Sequence, residues 1–407
     1  MRYPPSILCH IVLLTAALLS ATKLAAAQQS GTWRVSTDFP GGSARVETLD
    51  AAKQTLRITP TPHPDKGWAC WWYFKLEGAR TGESITLEVG TDSFAKPDRA
   101  FYSLDNRTWK QTAPGERRGD RIVYRHRLEA PEVWFAWGPP FVLKDAQTLI
   151  DQATKACPSA AAFELCKSRE GRSVPALRVT QGDQPNRYGI WISARQHAWE
   201  SGSSWVSKGL IEWLVSADPR AETLRREAVV YVVPIMDVDN VERGAGGKSQ
   251  KPQDHNRDWT DEPHWPEVRA AQKLITTLDS YRAFDLFLDL HNPAPNDREP
   301  EFFLPPREKL SPRAGRNLDA FLSAALTEIT GPLKYNGKSR ETGPSYDPNW
   351  ARISGNWVSQ NSHSHVVPAC LETAWNTPNS TPEGYQQVGR ELGLAIERYF
   401  RKSPRSD

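Results

Sequence analysis

The sequence predicts two domains in tandem: an amino-terminal antiparallel β-sandwich, then an α/β/α domain built on a mostly parallel mixed sheet. Two textures carry this expectation. Between about Thr32 and Pro140, short runs of Val, Ile, Thr, Tyr and Trp alternate with Gly, Pro, Asp and Asn turns, and no helical period intervenes. After about Leu143, nearly continuous apolar runs alternate with helix-period segments, the pattern of strands buried on both faces beneath helices.

In chain order, residues 1–27 read as a secretory signal peptide. Arg2 supplies the positive start, Ser6 to Ser20 run mostly apolar, and Ala25-Ala26-Ala27 offers small residues before Gln28. The apolar run is shorter than the ~20 residues a spanning helix needs. The chain is therefore expected to be exported, periplasmic or extracellular, with no membrane span after signal removal. Residues 28–143 form the expected sandwich. Its strands are Ala44–Leu49, Thr55–Thr59, Ala69–Leu76, Ser84–Val89, Ile122–Leu128 and Val133–Trp137. Alternation is plain in Ile122-Val123-Tyr124-Arg125-His126-Arg127-Leu128.

Residues 144–403 form the expected second domain. Its buried strands are Gly189–Ala194, Ala228–Ile235, Phe284–Leu290 and Val366–Leu371. Helices are expected at Trp205–Ala217, with Val206, Leu210, Ile211 and Leu214 on one face, and at Glu267–Tyr281. A last helix has Thr381 as its cap and Pro382 at its first position.

Composition excludes several classes. The 407 residues carry 51 basic and 48 acidic side chains, a net charge of +3 with no basic stripe, so no nucleic-acid partner is expected. Of the five cysteines, Cys9 leaves with the signal peptide. One or two disulfides are allowed in an oxidising compartment, Cys157 with Cys166 being the pair favoured by proximity. Cys70 and Cys370 lie in apolar surroundings and serve as readily as buried thiols.

Ligands of such sheets gather beyond the carboxyl ends of the strands. Arg195-Gln196-His197-Ala198-Trp199-Glu200 follows one strand, and Asp289-Leu290-His291-Asn292 ends another. His197, Glu200 and His291 together make a His/Glu/His set with a fourth position for water, the layout of a catalytic zinc. A lone histidine at a strand end is more often a hydrogen-bonded core residue than a ligand. His10, His63, His126, His264, His363 and His365 are assigned structural or surface places, and His255 is left open. In Asp254-His255-Asn256-Arg257-Asp258-Trp259, Asn256 and Arg257 can grip a carboxylate, or can simply occupy a solvated loop. Glu372, ending the run Cys370-Leu371-Glu372, is either a general base or half of a structural ion pair.

H-x-x-E after a strand, N-R on a loop, a His and then a Glu at strand ends, in this order, resemble the carboxypeptidase A-type zinc metallocarboxypeptidases. Tyr102-Ser103-Leu104-Asp105, Trp109 and Trp134-Phe135-Ala136-Trp137-Gly138-Pro139-Pro140-Phe141 resemble the sandwich of the cytosolic-carboxypeptidase-like subgroup. The resemblance implies one Zn2+ per chain on His197, Glu200 and His291, and Asn256 and Arg257 on the substrate's terminal carboxylate. It implies Glu372 as the base for the zinc-bound water. The expected partner is a peptide or peptide-like substrate with a free C-terminal carboxylate. Relatives carry an oxyanion Arg upstream of N-R; here Lys248, Lys251 or Arg243 could replace it. Tyr346 is the candidate for the Tyr that covers substrate. Gly247-Lys248-Ser249 is not a P-loop, because Glu242 stands where its first Gly belongs. The alternative activity is a zinc amidase or esterase acting on a non-peptide or cell-wall substrate. Sixteen tryptophans make a sugar-containing substrate thinkable, although core packing explains them as well.

Overall fold

The structure, a computed structural model, describes residues 33–90, 92–182, 188–402 and 404–405. The expected signal peptide lies outside the described residues. The amino-terminal part contains β1 (Arg34–Ser36), β2 (Arg45–Asp50), β3 (Thr55–Thr59), β4 (Tyr73–Glu77), β5 (Ser84–Val89), β6 (Phe101–Ser103), β7 (Lys110–Gln111), β8 (Glu116–Arg118), β9 (Arg121–Arg127) and β10 (Glu132–Ala136). They form two five-stranded sheets, β1-β4-β10-β6-β7 and β2-β3-β5-β9-β8. All pairs are antiparallel except β3 with β5. The period of two does the work: Leu56 and Ile58, then Ile85, Leu87 and Val89, point inward to Phe74, Leu76 and Phe135 of the facing sheet.

The second part runs α1 (Leu143–Ala156), β11 (Ala160–Lys167), β12 (Ser173–Val179), β13 (Tyr188–Ala194), α2 (Ser201–Leu214), α3 (Pro219–Glu227), β14 (Ala228–Val233), α4 (Val238–Arg243), α5 (Pro266–Ser280), β15 (Leu286–His291), β16 (Glu301–Leu304), α6 (Pro312–Glu328), β17 (Ser339–Glu341), α7 (Ser354–Asn361), β18 (Val367–Glu372) and α8 (Pro382–Phe400). One eight-stranded sheet, β11-β12-β14-β13-β15-β18-β16-β17, organises it. Its centre, β14-β13-β15-β18, is parallel, whereas β11 and β12 extend one edge antiparallel and β16 runs antiparallel to β18. Strands β15 and β18 are buried along their whole length, which is why they read as unbroken apolar runs.

Helix α8 is capped as expected, the Thr381 hydroxyl accepting from Gly384 N at 3.1 Å. It packs on α2 at unusually close range. A Cβ on Gly389 would meet Val206 O at 1.9 Å, so only glycine permits this approach. The contact holds α2, and with it the turn that ends at Glu200, against the sheet.

Three expectations need correction. Helix α2 begins at Ser201, four residues earlier than expected, because Ser203 and Ser204 turn their hydroxyls to Glu200 O and Pro234 O instead of ending the helix. The strand expected from Ala69 begins at Tyr73, because the main chain before it bonds the second domain: Trp68 N donates to Lys248 O at 3.0 Å. No disulfide joins Cys157 and Cys166; both are free, as are Cys70 and Cys370. Cys157 caps α1, and β11 then carries Cys166 about 20 Å away at ~3.3 Å per residue. Among the described residues, no helix is long and apolar enough to cross a membrane.

Candidate active site

Strand β13 ends at Ala194, and Arg195 turns the chain sharply with φ +63°. Its fully buried guanidinium donates to Ala198 O and to Phe141 O at 3.2 Å, folding the following residues back. This turn brings His197 Nδ1 within 2.7 Å of Glu200 Oε1. The other carboxylate oxygen, Glu200 Oε2, lies 2.7 Å from His291 Nδ1, at the end of β15. All three side chains are buried, and their donor atoms fall within 4.8 Å of one another. Two imidazole nitrogens and a carboxylate so arranged can hold a metal ion, and the donor set suits zinc. Burial alone would raise the Glu200 carboxyl, but His197 and His291 overcome it and hold the group far below the usual range.

Each imidazole has a carboxylate behind it. His291 Nε2 lies 2.9 Å from Asp289 Oδ2, an oxygen that also accepts from Ser354 Oγ at 2.7 Å and from Gln196 Nε2. His197 Nε2 lies 3.5 Å from Asp254 Oδ1. Burial opposes a charged His291, yet Asp289 and Glu200 on its two sides hold its pKa well above the ordinary value. Such outer carboxylates fix the ring and raise its basicity as a ligand. Asp289 and Asp254 lay inside the quoted motifs, but nothing in the sequence assigned them a role. Asp289, His291 and Cys370 form a second overlapping cluster. Asp289 already serves other donors there, and burial raises the Cys370 thiol strongly, so this set is the poorer ligand group.

Adjacent parallel strands bring in Glu372, the register partner of His291. Its Oε2 has no hydrogen-bond partner among the described residues, and Cys370 Sγ lies 4.0 Å from its Oε1. The ion-pair reading of Glu372 therefore loses its partner. Burial, reinforced by the charge of Glu200, pushes its carboxyl up to about 8. A cation on the three ligands would pull it down again.

Glu372 lines one cleft with His197, Glu200, Asn256, Arg257 and Lys248. Asn256 Nδ2 lies 3.3 Å from His291 Nε2, and Ser354 N donates to its Oδ1 at 2.9 Å. Arg257 gives Nε to Asp347 at 2.7 Å and Nη1 to its own loop at Asn256 O, 3.0 Å. A guanidinium has five N–H donors, so three remain for a ligand. Tyr346 also lines the cleft and stands edge-on to Phe303, 5.8 Å between centroids.

Of the three cations considered for the oxyanion, only Lys248 reaches the cleft, with Nζ 3.4 Å from His197 Nε2. Lys251 is exposed, and Arg243 pairs with Glu170 and Asn240 on the outside of α4. His255, left open above, points away into a buried network, 3.6 Å from Asp237 and 3.4 Å from Glu267, with its ring stacked on Trp265 at 4.8 Å. Trp259 and Trp375 are buried in packing, whereas Trp199, also buried, lines the cleft.

Residues 146–294 match the family model of zinc carboxypeptidases, and residues 35–137 match the N-terminal domain of cytosolic carboxypeptidases. The first match includes the His/Glu/His set, Asn256 and Arg257, and ends before Glu372. Human cytosolic carboxypeptidase 1 is 30% identical over 141 residues, 31% of this chain and 11% of its own length. Cytosolic carboxypeptidase 6 of Caenorhabditis elegans is 25% identical over 291 residues, 65% of this chain and 62% of its own. An uncharacterized protein of Zymomonas mobilis is 29% identical over 270 residues, 64% of this chain and 67% of that one. The chain thus aligns with only part of the named cytosolic carboxypeptidases. In fold it is similar to a metallo-carboxypeptidase from Burkholderia cenocepacia, with TM-score 0.78 and 20% identity over 91% of this chain and all of the other. A Pseudomonas aeruginosa metallo-carboxypeptidase gives TM-score 0.75 at 20% identity, again over 91% of this chain and 100% of that one.

Proposed function

We propose that this chain, a member of the zinc carboxypeptidase family, removes the carboxy-terminal residue of peptides, with zinc on His197, Glu200 and His291. The observation that carries the reading is one cleft lined by two of the three proposed ligands, an unpaired carboxylate and an arginine, with His291 in register beside that carboxylate. When bound, zinc would acidify a water and polarise the scissile carbonyl. Glu372 takes the proton of the attacking water at its unpaired Oε2 and returns it to the leaving amine. Lys248, which lines the same cleft, supplies the cation for the charge that develops on the carbonyl oxygen. Asn256 and Arg257 hold the terminal carboxylate, which sets the cut one residue from the end. Tyr346, partly exposed at the rim, covers the bound residue.

Export belongs to the same reading. It rests on Arg2, the apolar run and Ala25-Ala26-Ala27. Amino-terminal sequencing of the protein recovered outside a bacterial cytoplasm should begin at Gln28; an intact Met1 on cytoplasmic protein would refute it.

The activity is tested by mass spectrometry of peptide digests. Single residues should leave the carboxyl end, stop with a chelator and resume on adding zinc. Internal cuts, or turnover indifferent to chelator, would overturn the proposal.

A further inference from the structure

Aromatic rings at a domain junction either complete a core or face a ligand, and the two kinds are separable here. Trp137 and Trp375 complete the junction: both are buried, their rings lie 4.6 Å apart, and their indole N–H groups donate to Phe94 O and Pro293 O at 2.6 Å. Trp68 and Phe94, both from the sandwich, are only half-buried and line the cleft that holds His197 and Glu200. Their rings lie 4.7 Å apart at 58°, and Phe94 stands edge-on to Trp199 at 5.7 Å. Trp199 lines the same cleft, and its buried Nε1–H has no partner among the described residues. A buried donor left unpaired is costly unless a ligand supplies the acceptor.

The wall is held rigidly to the catalytic domain. Trp68 N donates to Lys248 O at 3.0 Å, and Gly247 N donates to Lys66 O at 2.9 Å. Between them Gly67, at φ +89°, sits so close that a Cβ would meet Lys248 O at 2.5 Å. A second group lines the same cleft, Arg257 bound to the Tyr346-Asp347 loop and Tyr346 against Phe303. The proposed metal ligands link the two: His197 and Glu200 share a turn with Trp199, and His291 touches Asn256 beside Arg257.

We infer that the sandwich completes the catalytic cleft, Trp68 and Phe94 with Trp199 forming a subsite for an apolar side chain on the substrate residue that precedes the scissile bond. The inference rests on the carboxypeptidase reading, because a terminal carboxylate at Arg257 directs the preceding residue toward the sandwich. The Trp199 N–H serves the backbone carbonyl one residue further upstream, and the aromatic faces take the side chain of the residue before the scissile bond. The sandwich is then part of the specificity of the enzyme, rather than an appendage to it.

The test uses two peptides with free carboxyl ends, identical except for Phe or Gly at the penultimate position. Wild type should favour Phe in kcat/KM by about tenfold, the scale of burying much of an aromatic side chain. Trp68→Ala and Phe94→Ala should each cut that ratio to about two, since the Phe peptide loses more apolar contact than the Gly peptide. Trp68→Phe should retain most of the preference. Because the ratio is read on one preparation, loss of folded protein cancels. A ratio near one in wild type, or one unchanged in both alanine variants, overturns the subsite and leaves the carboxypeptidase reading standing. Wild type that cleaves neither peptide overturns both.

Discussion

Asp289→Asn isolates the charge behind His291. Asp289 is completely buried and accepts from Ser354, Gln196 and His291 through one oxygen, with Ser193 Oγ 3.3 Å from the other. Asparagine keeps the shape and can keep the acceptor oxygen facing these donors, so the fold should survive while the negative charge is lost. Two effects then oppose each other. Without Asp289 the His291 pKa falls, so protons compete less with metal. The carboxylate's attraction for a doubly charged ion is also lost, and at equal distance that is about twice its attraction for a proton. Metal should therefore bind more weakly in net, by about 10–100-fold, which is ~1.4–2.8 kcal/mol. The pH dependence of binding should become shallower. The assay is competition for zinc against a chromogenic chelator between pH 6 and 8, with unfolding temperature as the check on the fold. Affinity within about twofold of wild type in a folded variant would refute this account of the ligand shell.

Three further outcomes are expected. Glu372→Gln should retain zinc by elemental analysis and lose at least ~100-fold in kcat; a near-normal rate would place the base elsewhere. Lys248→Ala should lower kcat by about 10²–10³-fold with KM little changed, and Lys248→Arg should recover part of the loss; a change confined to KM would remove Lys248 from oxyanion stabilisation. Burial alone would depress His255, but Asp237 and Glu267 raise it to about 9 from an ordinary 6.5. A raised pKa means the stabilisation is fully present below pH 6.5 and is lost as pH rises through about 9, at most roughly 3 kcal/mol. His255→Gln should thus destabilise strongly at pH 6 and far less at pH 9.5; an equal loss of unfolding temperature at both would contradict the ion-pair origin.

What could be read in advance followed from how local each signal is. The strands that end at Ala194, His291 and Glu372 are apolar runs broken by a polar residue, a pattern visible without tertiary knowledge. His197 and Glu200 are joined by a short turn, so their spacing lets them meet, and the order of the motifs that follow made them partners. The edge strand β11 was not legible, because its faces are partly exposed and its residues mixed, and β12, though largely buried, has its apolar run interrupted by Pro175 and Arg178. Nor were Asp289 and Asp254, whose roles depend on which way neighbouring imidazoles point. Lys248 could not be separated from Lys251 and Arg243 by sequence, since only the folded chain has Lys248 in the cleft, Lys251 exposed and Arg243 paired with Glu170. The contact of Trp68 N with Lys248 O shortened the strand expected from Ala69.

Recognition of the terminal carboxylate is the most direct test of the account as a whole. Paired peptides, one with a free carboxyl end and one amidated, are compared on wild type, Arg257→Ala and Arg257→Lys at equal zinc occupancy. Wild type should cleave the free peptide and leave its amidated twin almost untouched, because a charge-assisted, forked bond at Arg257 is lost with the carboxylate. Arg257→Ala should erase most of that preference, and Arg257→Lys should restore it poorly, lacking the planar fork. Equal cleavage of both peptides by wild type would contradict the account and leave a general zinc amidase in its place.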